Sequence, residues 1–165
     1  MISYIGIGSN QKDPVKQAKQ AIEALKTLTN SELTKCSSLY CSAPMGPQDQ
    51  PDYINAVAEI KTQLSALELL DALQKIELDQ GRVRKDNRWG PRTLDLDIIL
   101  YDNQTIHNNR LTIPHYGMNT REFVLYPLHE IAPNLSLPNN TLLSQLVSLC
   151  DKNGLTKISD IHHNK

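Results

Sequence analysis

The stretch TLDLDIILYD, residues 93 to 102, decides the fold because it is typical of a strand with two different faces. Leucine and isoleucine alternate with aspartate, and successive side chains of a strand point to opposite faces of the sheet. The residues predicted to face the core are Leu94, Leu96, Ile98 and Leu100. Asp95 and Asp97 are predicted to lie together on the other face, about 6.6 Å apart along the strand.

The residues before this strand divide into elements at capping and turn signals. Asp13 and Pro14 are an N-cap acid and a first-turn proline, while Ser65 and Glu68 form a capping box. Gly81 is well placed to end the second helix. The predicted elements are a strand at 2 to 9, a helix from Pro14 to about Asn30, strands at 33 to 42 and 52 to 62, a helix from Ser65 to Gly81 and the strand at 93 to 102.

This order of elements predicts an α+β fold. A β-α-β-β-α-β chain is typical of a ferredoxin-like βαββαβ core, in which an antiparallel sheet carries both helices on one face. After Asn103 the pattern weakens into an irregular C-terminal extension, with one helix predicted at 142 to 149. No internal repeat or linker divides the chain, so residues 1 to 165 are expected to form a single domain.

Composition restricts the classes of partner. The chain has 165 residues, of which 39% are hydrophobic and 21% charged, an ordinary globular composition. A formal net charge of −1 does not favour a general nucleic-acid binder. Its three cysteines show no disulfide or zinc pattern, and no segment approaches the roughly 18 apolar residues of a membrane span. We expect a cytoplasmic protein that binds neither nucleic acid nor membrane.

The sheet face turned away from the two helices carries an unusual set of residues. They are Tyr4, Gly6, Gly8, Tyr53, Asn55, Val57, Asp95 and Asp97. Glycines leave room for a ligand, and two neighbouring carboxylates disfavour joint ionisation unless a cation intervenes. Oxygen-only ligands suit Mg²⁺, which also binds substrate phosphates. The alternative is a solvated acidic strand end.

A cationic segment precedes the two aspartates. Five cationic side chains minus one acid give residues 82 to 92 a local charge of +4; they are Arg82, Arg84, Lys85, Arg88 and Arg92, against Asp86. Arginine binds phosphate through paired hydrogen bonds. The segment and the aspartates are predicted to hold a polyphosphate jointly, the arginines directly and the acids through Mg²⁺. The sequence contains neither a P-loop nor a complete dinucleotide-binding glycine motif.

Three aromatic and amide side chains are candidates for binding a flat ligand. Trp89, the only tryptophan, is able to stack on a heterocycle or simply to anchor its loop on the body of the protein. Tyr53 and Asn55 offer a ring and an amide on the ligand face, or are an ordinary polar pair at a strand end. The residues alone leave both alternatives open.

Two further candidates flank the cationic segment. His115, with Tyr116 and Arg121 nearby, is a plausible cluster for phosphate oxygens, although a loop histidine is more often only a surface residue. Glu77 shares the apolar stripe of Leu70 and Leu73, which suggests a role at the sheet edge; the alternative is an ordinary surface acid.

Five stretches, in order, resemble the hydroxymethyl-dihydropterin pyrophosphokinase family of folate biosynthesis. They are YIGIGSN (4 to 10), APMGPQDQPDYINAV (43 to 57), IELDQGRVRKDNRWGPRTLDLDIILYDN (76 to 103), RLTIPHYGM (110 to 118) and REFVLYPLHEIAP (121 to 133). The resemblance covers roughly residues 3 to 135, and RWGPRTLDLDI is its most specific part. It implies that the β,γ-diphosphate of ATP is transferred to the hydroxymethyl group of the dihydropterin and that AMP is released. It also implies that the reaction uses two bound Mg²⁺ ions.

The resemblance also implies roles for individual residues. Asp95 and Asp97 would hold both metal ions, and Arg82 and Arg92 would meet the phosphates as catalytic residues. Positions matching the ATP site are Leu70, Gln74, Glu77, Arg84, Trp89, Ile98, Arg110, Leu111, Thr112, His115, Tyr116 and Arg121. Positions matching the pterin pocket are Ser42, Pro44, Met45, Gly46, Tyr53, Asn55, Trp89 and Phe123.

One run departs from the family's pattern. Ser42-Ala43-Pro44-Met45 replaces the more usual Thr-Pro-Pro-Leu type of run. Proline restricts φ, so alanine at position 43 is expected to loosen this loop and to affect substrate affinity more than the reaction. No residue stands out as general base, and Asp97 and a water on the metal both remain candidates.

Three other classes of protein remain as alternatives. A metal-dependent nucleotidyltransferase or cyclase also uses paired aspartates, but it would release pyrophosphate. An RNA-binding sheet needs stacked aromatics in an RNP-type run, which the sequence lacks, and the two aspartates would repel the RNA backbone. A regulatory domain would bind a nucleotide without turning it over. We expect a monomeric enzyme acting on small molecules.

Overall fold

The computed structural model describes residues 1–9, 13–42, 53–81, 94–115 and 117–158, and its centre is an antiparallel sheet with four helices. The strands are β1 (Ile2–Ser9), β2 (Ser31–Cys36), β3 (Leu39–Ser42), β4 (Tyr53–Thr62), β5 (Asp95–Tyr101), β6 (Ile106–His107), β7 (Thr112–Ile113) and β8 (Thr156–Ile158). The helices are α1 (Pro14–Leu25), α2 (Ala66–Ile76), α3 (Glu122–Ile131) and α4 (Leu143–Leu149), and a π-helical turn, Glu77–Gly81, follows α2.

The central strand β1 organises the sheet. The strand order is β5-β1-β4-β3-β8, with β2 also paired to β4, and every pairing is antiparallel. Strands β6 and β7 form a separate two-stranded ribbon. Since β5 lies at the end of the six-stranded sheet, only one of its sides is paired to another described strand.

The predicted second strand, 33 to 42, is two strands in the structure. The break falls at Ser37 and Ser38. There the Ser37 amide donates to the Val57 carbonyl at 2.9 Å, while the Ser37 hydroxyl accepts from the Val57 amide at 2.9 Å. The hydroxyl therefore takes the place of a backbone carbonyl, a competition with the strand ladder that serine side chains offer.

Helix α1 and helix α2 begin at the predicted caps. The Asp13 carboxylate accepts from the Lys16 amide, and Ser65 and Glu68 form both bonds of the capping box. Helix α1 ends at Leu25, earlier than predicted. The chain then turns, and Asn30 adopts a left-handed φ of 54°, which asparagine tolerates better than most residues.

One face of the sheet packs against both of these helices. Ala18, Ala21 and Leu25 of α1 and Leu69 and Leu73 of α2 are fully buried in the first hydrophobic core. The strand residues predicted for this face are buried in the same core: Ile5, Ile7, Ile54, Ala56, Ala58, Ile60, Leu94, Leu96 and Ile98. The alternation of these strands therefore assigned this face correctly.

Leu100 is the exception, and its prediction was wrong. It lies in the second core, on the opposite face, together with Ile99. The pairing of β1 with β5 shifts there, from Ile5 opposite Ile98 to Tyr4 opposite Leu100. This one-residue bulge reverses the alternation, because each extra residue turns the following side chains to the other face. Tyr101 consequently enters the first core.

The second face of the sheet is only partly open. Helices α3 and α4 cover the half that contains Tyr4, Val57 and Ile99. These residues are buried against Leu125 and Leu128. Helix α4 confirms the helix predicted at 142 to 149. Helix α3 was not predicted, since Pro127 lies inside it and proline normally ends a helix. No helix within the described ranges is long and apolar enough to cross a membrane.

Glu130 joins α3 to β3. Its carboxylate accepts hydrogen bonds from the Ser38 amide and hydroxyl at 3.1 and 2.9 Å and from the Tyr40 hydroxyl at 2.6 Å. Partial burial acts to raise the pKa of Glu130, but the bonds from Tyr40 and Ser38 and the charge of Lys157 lower it below its ordinary value. The contribution of these bonds to the free energy of unfolding is therefore fully present above the pKa that Glu130 has in the unfolded chain. It is lost as the pH falls through the lower pKa that Glu130 has in the folded protein.

We expect Glu130→Ala to lower the free energy of unfolding at pH 7 by about 1–2 kcal/mol, the lower part of the range for hydrogen bonds to charged groups, since Glu130 is partly exposed. Urea unfolding at pH 7 and pH 3 measures this loss. The difference from the unsubstituted protein should be smaller at pH 3 than at pH 7, because the contribution of the charged carboxylate is lost as the pH falls through its lowered pKa. Glu23→Ala, on the exposed surface of α1, is the control and should change stability by less than about 0.5 kcal/mol. Equal losses at both pH values would contradict the charged role.

Candidate active site

The pairing of β1 with its two neighbours builds the floor of the site. Gly8 lies opposite Asp95 on one side and Asn55 on the other, and Gly6 lies opposite Asp97 and Val57 in the same way. Residues opposite one another in a sheet share a face. Asp95, Asp97 and Asn55 therefore project on the same side, across two glycines, as the alternation predicts.

The glycines keep this floor low. A Cβ atom at Gly8 would lie 3.5 Å from Oδ1 of Asn55, an ordinary contact, so the space above Gly8 is bordered by that amide oxygen. A Cβ atom at Gly6 would lie 3.1 Å from Cδ1 of Ile99 and would require the isoleucine to move. Gly6 thus serves the packing of the second core, while Gly8 leaves space beside Asp95.

A cleft of about 440 Å³ opens beside the two aspartates. It is lined by ten of the residues predicted for ATP or metal binding: Leu70, Gln74, Glu77, Asp95, Asp97, Ile98, Arg110, Leu111, Thr112 and His115. Leu96, Asn108 and Asn109 also line it and were not predicted. The cleft is bounded by α2, β5 and the β6–β7 ribbon, so it brings together residues that are far apart in the sequence, from Leu70 to His115.

Arg110 stands at the rim of this cleft. Its guanidinium donates to the Asp71 carboxylate at 2.6 Å and to Oε1 of Gln74 at 3.4 Å. The side-chain oxygen of Asn108 accepts from the amides of Arg110 and Leu111 at 2.9 and 3.0 Å, which fixes the turn between β6 and β7. An asparagine that bonds the amides two and three residues ahead is a turn signal, and the run Asn108-Asn109 was the clue available in the sequence.

His115 also lines the cleft. Its Nδ1 accepts a hydrogen bond from the Gly117 amide at 3.2 Å, so the proton of the neutral ring is assigned to Nε2. Its own amide donates to the Ile99 carbonyl at 3.0 Å, at the bulge in β5. The bulge thereby places a histidine N–H donor at the cleft that contains the aspartates.

Three residues predicted for the pterin pocket, Ser42, Tyr53 and Asn55, lie together at the β3–β4 end of the floor. Asn55 is 5% exposed and donates from Nδ2 to the Ser42 hydroxyl at 3.0 Å, which leaves Oδ1 facing the space over Gly8. Tyr53 lies opposite Ser42 and is 36% exposed. Phe123 of α3 is half-buried, and the guanidinium carbon of Arg121 lies over its ring, 5.8 Å from the ring centre.

Several predicted site residues lie outside the described residues. They are Arg82, Arg84, Trp89 and Arg92 of the cationic segment, Pro44, Met45 and Gly46 of the proline-rich segment with the neighbouring Ala43, and Tyr116. Their predicted roles stay predictions.

The carboxylate pair suits a divalent cation that is shared with a ligand. Within the described part of the chain, no group of three or more histidine, cysteine, aspartate or glutamate side chains is arranged to hold a metal ion. Asp95 is half-buried and Asp97 exposed, so both carboxylates are accessible from the cleft. Mg²⁺ is typically bound by one or two carboxylates, with water and substrate phosphates completing its shell, and this pair fits that chemistry.

The fold and the site define a class: a mixed α/β protein with an antiparallel sheet, whose acidic pair and adjoining cleft are suited to phosphoryl transfer. The family described as 7,8-dihydro-6-hydroxymethylpterin-pyrophosphokinase (HPPK) matches residues 4–133. The chain belongs to this family.

Two relatives cover nearly the whole chain. A 2-amino-4-hydroxy-6-hydroxymethyldihydropteridine pyrophosphokinase of Haemophilus influenzae is 59% identical over 145 residues, which span 88% of this chain and 90% of that protein. A protein of the same name from Pseudomonas aeruginosa is 49% identical over 155 residues, which span 94% and 95%.

Solved structures show the same fold. A Plasmodium falciparum HPPK-DHPS matches with a TM-score of 0.71 at 14% identity, covering 90% of this chain and 44% of that one. Another HPPK-DHPS, in complex with substrates, matches with a TM-score of 0.70 at 13% identity, covering 90% and 42%. This chain spans less than half the length of those proteins, and at such identities the likeness concerns the fold alone.

We expect Gly8→Ala to keep the fold and to weaken ligand binding on the floor. The new methyl group makes only an ordinary contact with Asn55, and alanine is favoured over glycine inside a strand by about 0.5–1 kcal/mol. A methyl group in the space of a ligand typically costs about 1–3 kcal/mol. Calorimetric titration with 7,8-dihydro-6-hydroxymethylpterin, the compound in the family's description, measures the binding, and thermal unfolding measures the stability. Unchanged affinity would mean that the floor beside Asp95 carries no ligand.

Proposed function

We propose that this protein transfers the β,γ-diphosphate of ATP to the hydroxymethyl group of 6-hydroxymethyl-7,8-dihydropterin and releases AMP, a step of tetrahydrofolate biosynthesis. Membership of the pyrophosphokinase family supports this reaction. The observation that carries it is the row Asn55, Gly8 and Asp95, which places an amide suited to a heterocycle two strands from a carboxylate suited to a metal ion.

The cleft is the proposed ATP site. Its apolar wall, with Leu70, Ile98 and Leu111, suits the adenine base, and Gln74 and Thr112 offer hydrogen-bonding groups beside it. Arg110 and His115 bring a guanidinium and an N–H donor to the same cleft, where they would meet phosphate oxygens. Arg84, Trp89, Tyr116 and Arg121 remain proposed members of this site, from the family resemblance.

Asp95 and Asp97 are proposed to hold two Mg²⁺ ions together with the phosphates of ATP. Bound Mg²⁺ would neutralise charge on the transferring group and orient it. Arg82 and Arg92 are proposed to bind the phosphates directly and to stabilise the charge that develops during transfer. The two aspartates are negatively charged like the phosphates of ATP. In this proposal the metal ions and the arginines therefore supply the positive charge that binds the phosphates.

The β3–β4 end of the floor is the proposed pterin site. A pterin ring carries N–H donors, and the Asn55 oxygen faces the space over Gly8, held there by the bond from Nδ2 to Ser42. Tyr53 and Phe123 offer aromatic surface, and Trp89, Pro44, Met45 and Gly46 are proposed to complete the pocket. Asn55 is buried at one side of Gly8, and Asp95 lies at the other side. The substituent of a ring bound over Asn55 and Gly8 would therefore extend to the acidic pair.

Catalysis in this proposal is mainly positioning. The chain's residues hold the hydroxyl in line with the β-phosphorus, and fixed geometry of this kind supplies several kcal/mol of a bimolecular barrier. No general base is assigned. We further propose a single-domain, cytoplasmic monomer with a ferredoxin-like core; the strand order β5-β1-β4-β3 and the packing of α1 and α2 on one face support that topology.

The test is an AMP-release assay with ATP, Mg²⁺ and 6-hydroxymethyl-7,8-dihydropterin, in which pterin and metal are omitted in turn. We expect AMP only when all three are present. Release of ADP or pyrophosphate, or no turnover by folded protein, would contradict diphosphate transfer.

Asp97→Asn tests the metal proposal in the same assay. We expect turnover at saturating Mg²⁺ to fall about 10²- to 10³-fold, the usual cost of removing one preorganised group that stabilises transferred charge. Asp102→Asn is a matched control just beyond the other end of β5, where that carboxylate accepts a hydrogen bond from the Ile2 amide at 2.7 Å. Unchanged turnover in Asp97→Asn would remove the metal role.

A further inference from the structure

Glu77 is a buried acid whose carboxyl group binds the backbone of β5, the strand that contains Asp95 and Asp97. It is 7% exposed, and its Oε2 accepts a hydrogen bond from the Leu96 amide at 2.7 Å. Leu96 lies between Asp95 and Asp97, and β5 is the last strand in the order of the six-stranded sheet. The carboxylate thus bonds the strand edge at the residue that separates the two aspartates.

An edge strand leaves alternate amides without a partner strand, and a buried amide without a hydrogen bond costs about 1–3 kcal/mol. The distance of 2.7 Å from the Leu96 nitrogen to the Glu77 carboxyl oxygen is at the short end of the range for such bonds. The Leu96 side chain is buried in the first core, so side chain and amide together hold this residue in place. The direction of the neighbouring carboxylates follows from the backbone held between them.

The turn that carries Glu77 is itself anchored. The helix α2 changes at Glu77 into the π-helical turn Glu77–Gly81, a local widening that is often found at functional sites. On its far side the Gln17 side chain of α1 donates to the Gln80 carbonyl at 2.6 Å. Glu77 is therefore held between the end of a packed helix and a turn tied to a second helix.

We propose that Glu77 is a positioning residue that fixes the Asp95–Asp97 segment of β5 for catalysis by binding the Leu96 amide. This inference rests on the proposed function of the two aspartates and adds a role beyond the lining of the ATP cleft. Glu77 is no third metal ligand in this proposal, because no cluster of three acids suited to a metal ion occurs among the described residues. Groups that orient metal-binding residues typically contribute 10- to 100-fold in metal affinity or activity.

The first measurement concerns the bond itself. Hydrogen–deuterium exchange of the Leu96 amide, followed by NMR, should be slow in the unsubstituted protein and at least tenfold faster in Glu77→Ala. In Glu77→Gln the rate should lie between the two, since an amide oxygen is a weaker acceptor of the same shape. Equal exchange in all three proteins would overturn the proposal.

The second measurement concerns its consequence. AMP release is followed against Mg²⁺ concentration, and Glu77→Ala should lower kcat or raise the apparent Mg²⁺ constant by about 10- to 100-fold, with partial recovery in Glu77→Gln. ATP binding without Mg²⁺ should change less than threefold, whereas loss of a direct contact with ATP would weaken it in the same proportion as turnover. A loss confined to metal-free ATP binding would therefore overturn the positioning role.

The control is Glu68→Ala, which removes the capping box at the other end of α2, far from the acidic pair in sequence. It should destabilise the same helix by about 1 kcal/mol and leave the Mg²⁺ dependence unchanged. If Glu68→Ala reproduces the effect of Glu77→Ala, the cause is helix stability and the proposal fails. If the unsubstituted protein releases no AMP, the proposed function fails instead, while the exchange of Leu96 still tests the bond.

Discussion

The pairing of β1 with β4 on one side and β5 on the other is the constraint on which the rest of the site depends. It sets Asn55 and Asp95 opposite Gly8, and Val57 and Asp97 opposite Gly6. A shift of one residue in either pairing would turn the acids or the amide into the first core, where α1 and α2 pack. The apolar alternation of β1, β4 and β5 prevents that shift, so the same residues that bury the core also aim the polar ones.

The two faces of the sheet have different roles: one packs against helices α1 and α2, and the other contains the candidate site. Helices α1 and α2 pack on one face, whereas α3 and α4 cover only the half of the other that contains Tyr4, Val57 and Ile99. The uncovered half contains Gly8, Asn55 and the two aspartates. The C-terminal residues therefore set the boundary of the site: α3 bonds β3 through Glu130, and β8 pairs with β3 beside Ser42. Their packing limits the site to one end of the sheet.

Much of this arrangement could be predicted from the chain. The caps at Asp13 and Ser65 placed both early helices, and alternation placed Asp95, Asp97 and Asn55 on one face, because these signals are local. The bulge at Ile99 could not be predicted, since it depends on how β5 meets β1. Helix α3 was not predicted because Pro127 is a local signal against a helix, and tertiary packing overrides that signal. Asn108 was missed because its role becomes visible only when the turn it bonds is seen at the cleft.

The sequence by itself determined the first two helices, the strands that carry the site, the acidic pair and the family resemblance, since periodicity, capping and motif order are properties of neighbouring residues. Only the tertiary structure decided what surrounds them. It brought Leu70, Arg110 and His115 to the cleft beside the aspartates, closed half of the second face with α3 and α4, and joined Glu77 to the Leu96 amide. The physical reason is that these contacts join residues from separate elements, and their geometry depends on how the elements pack and where the sheet bulges.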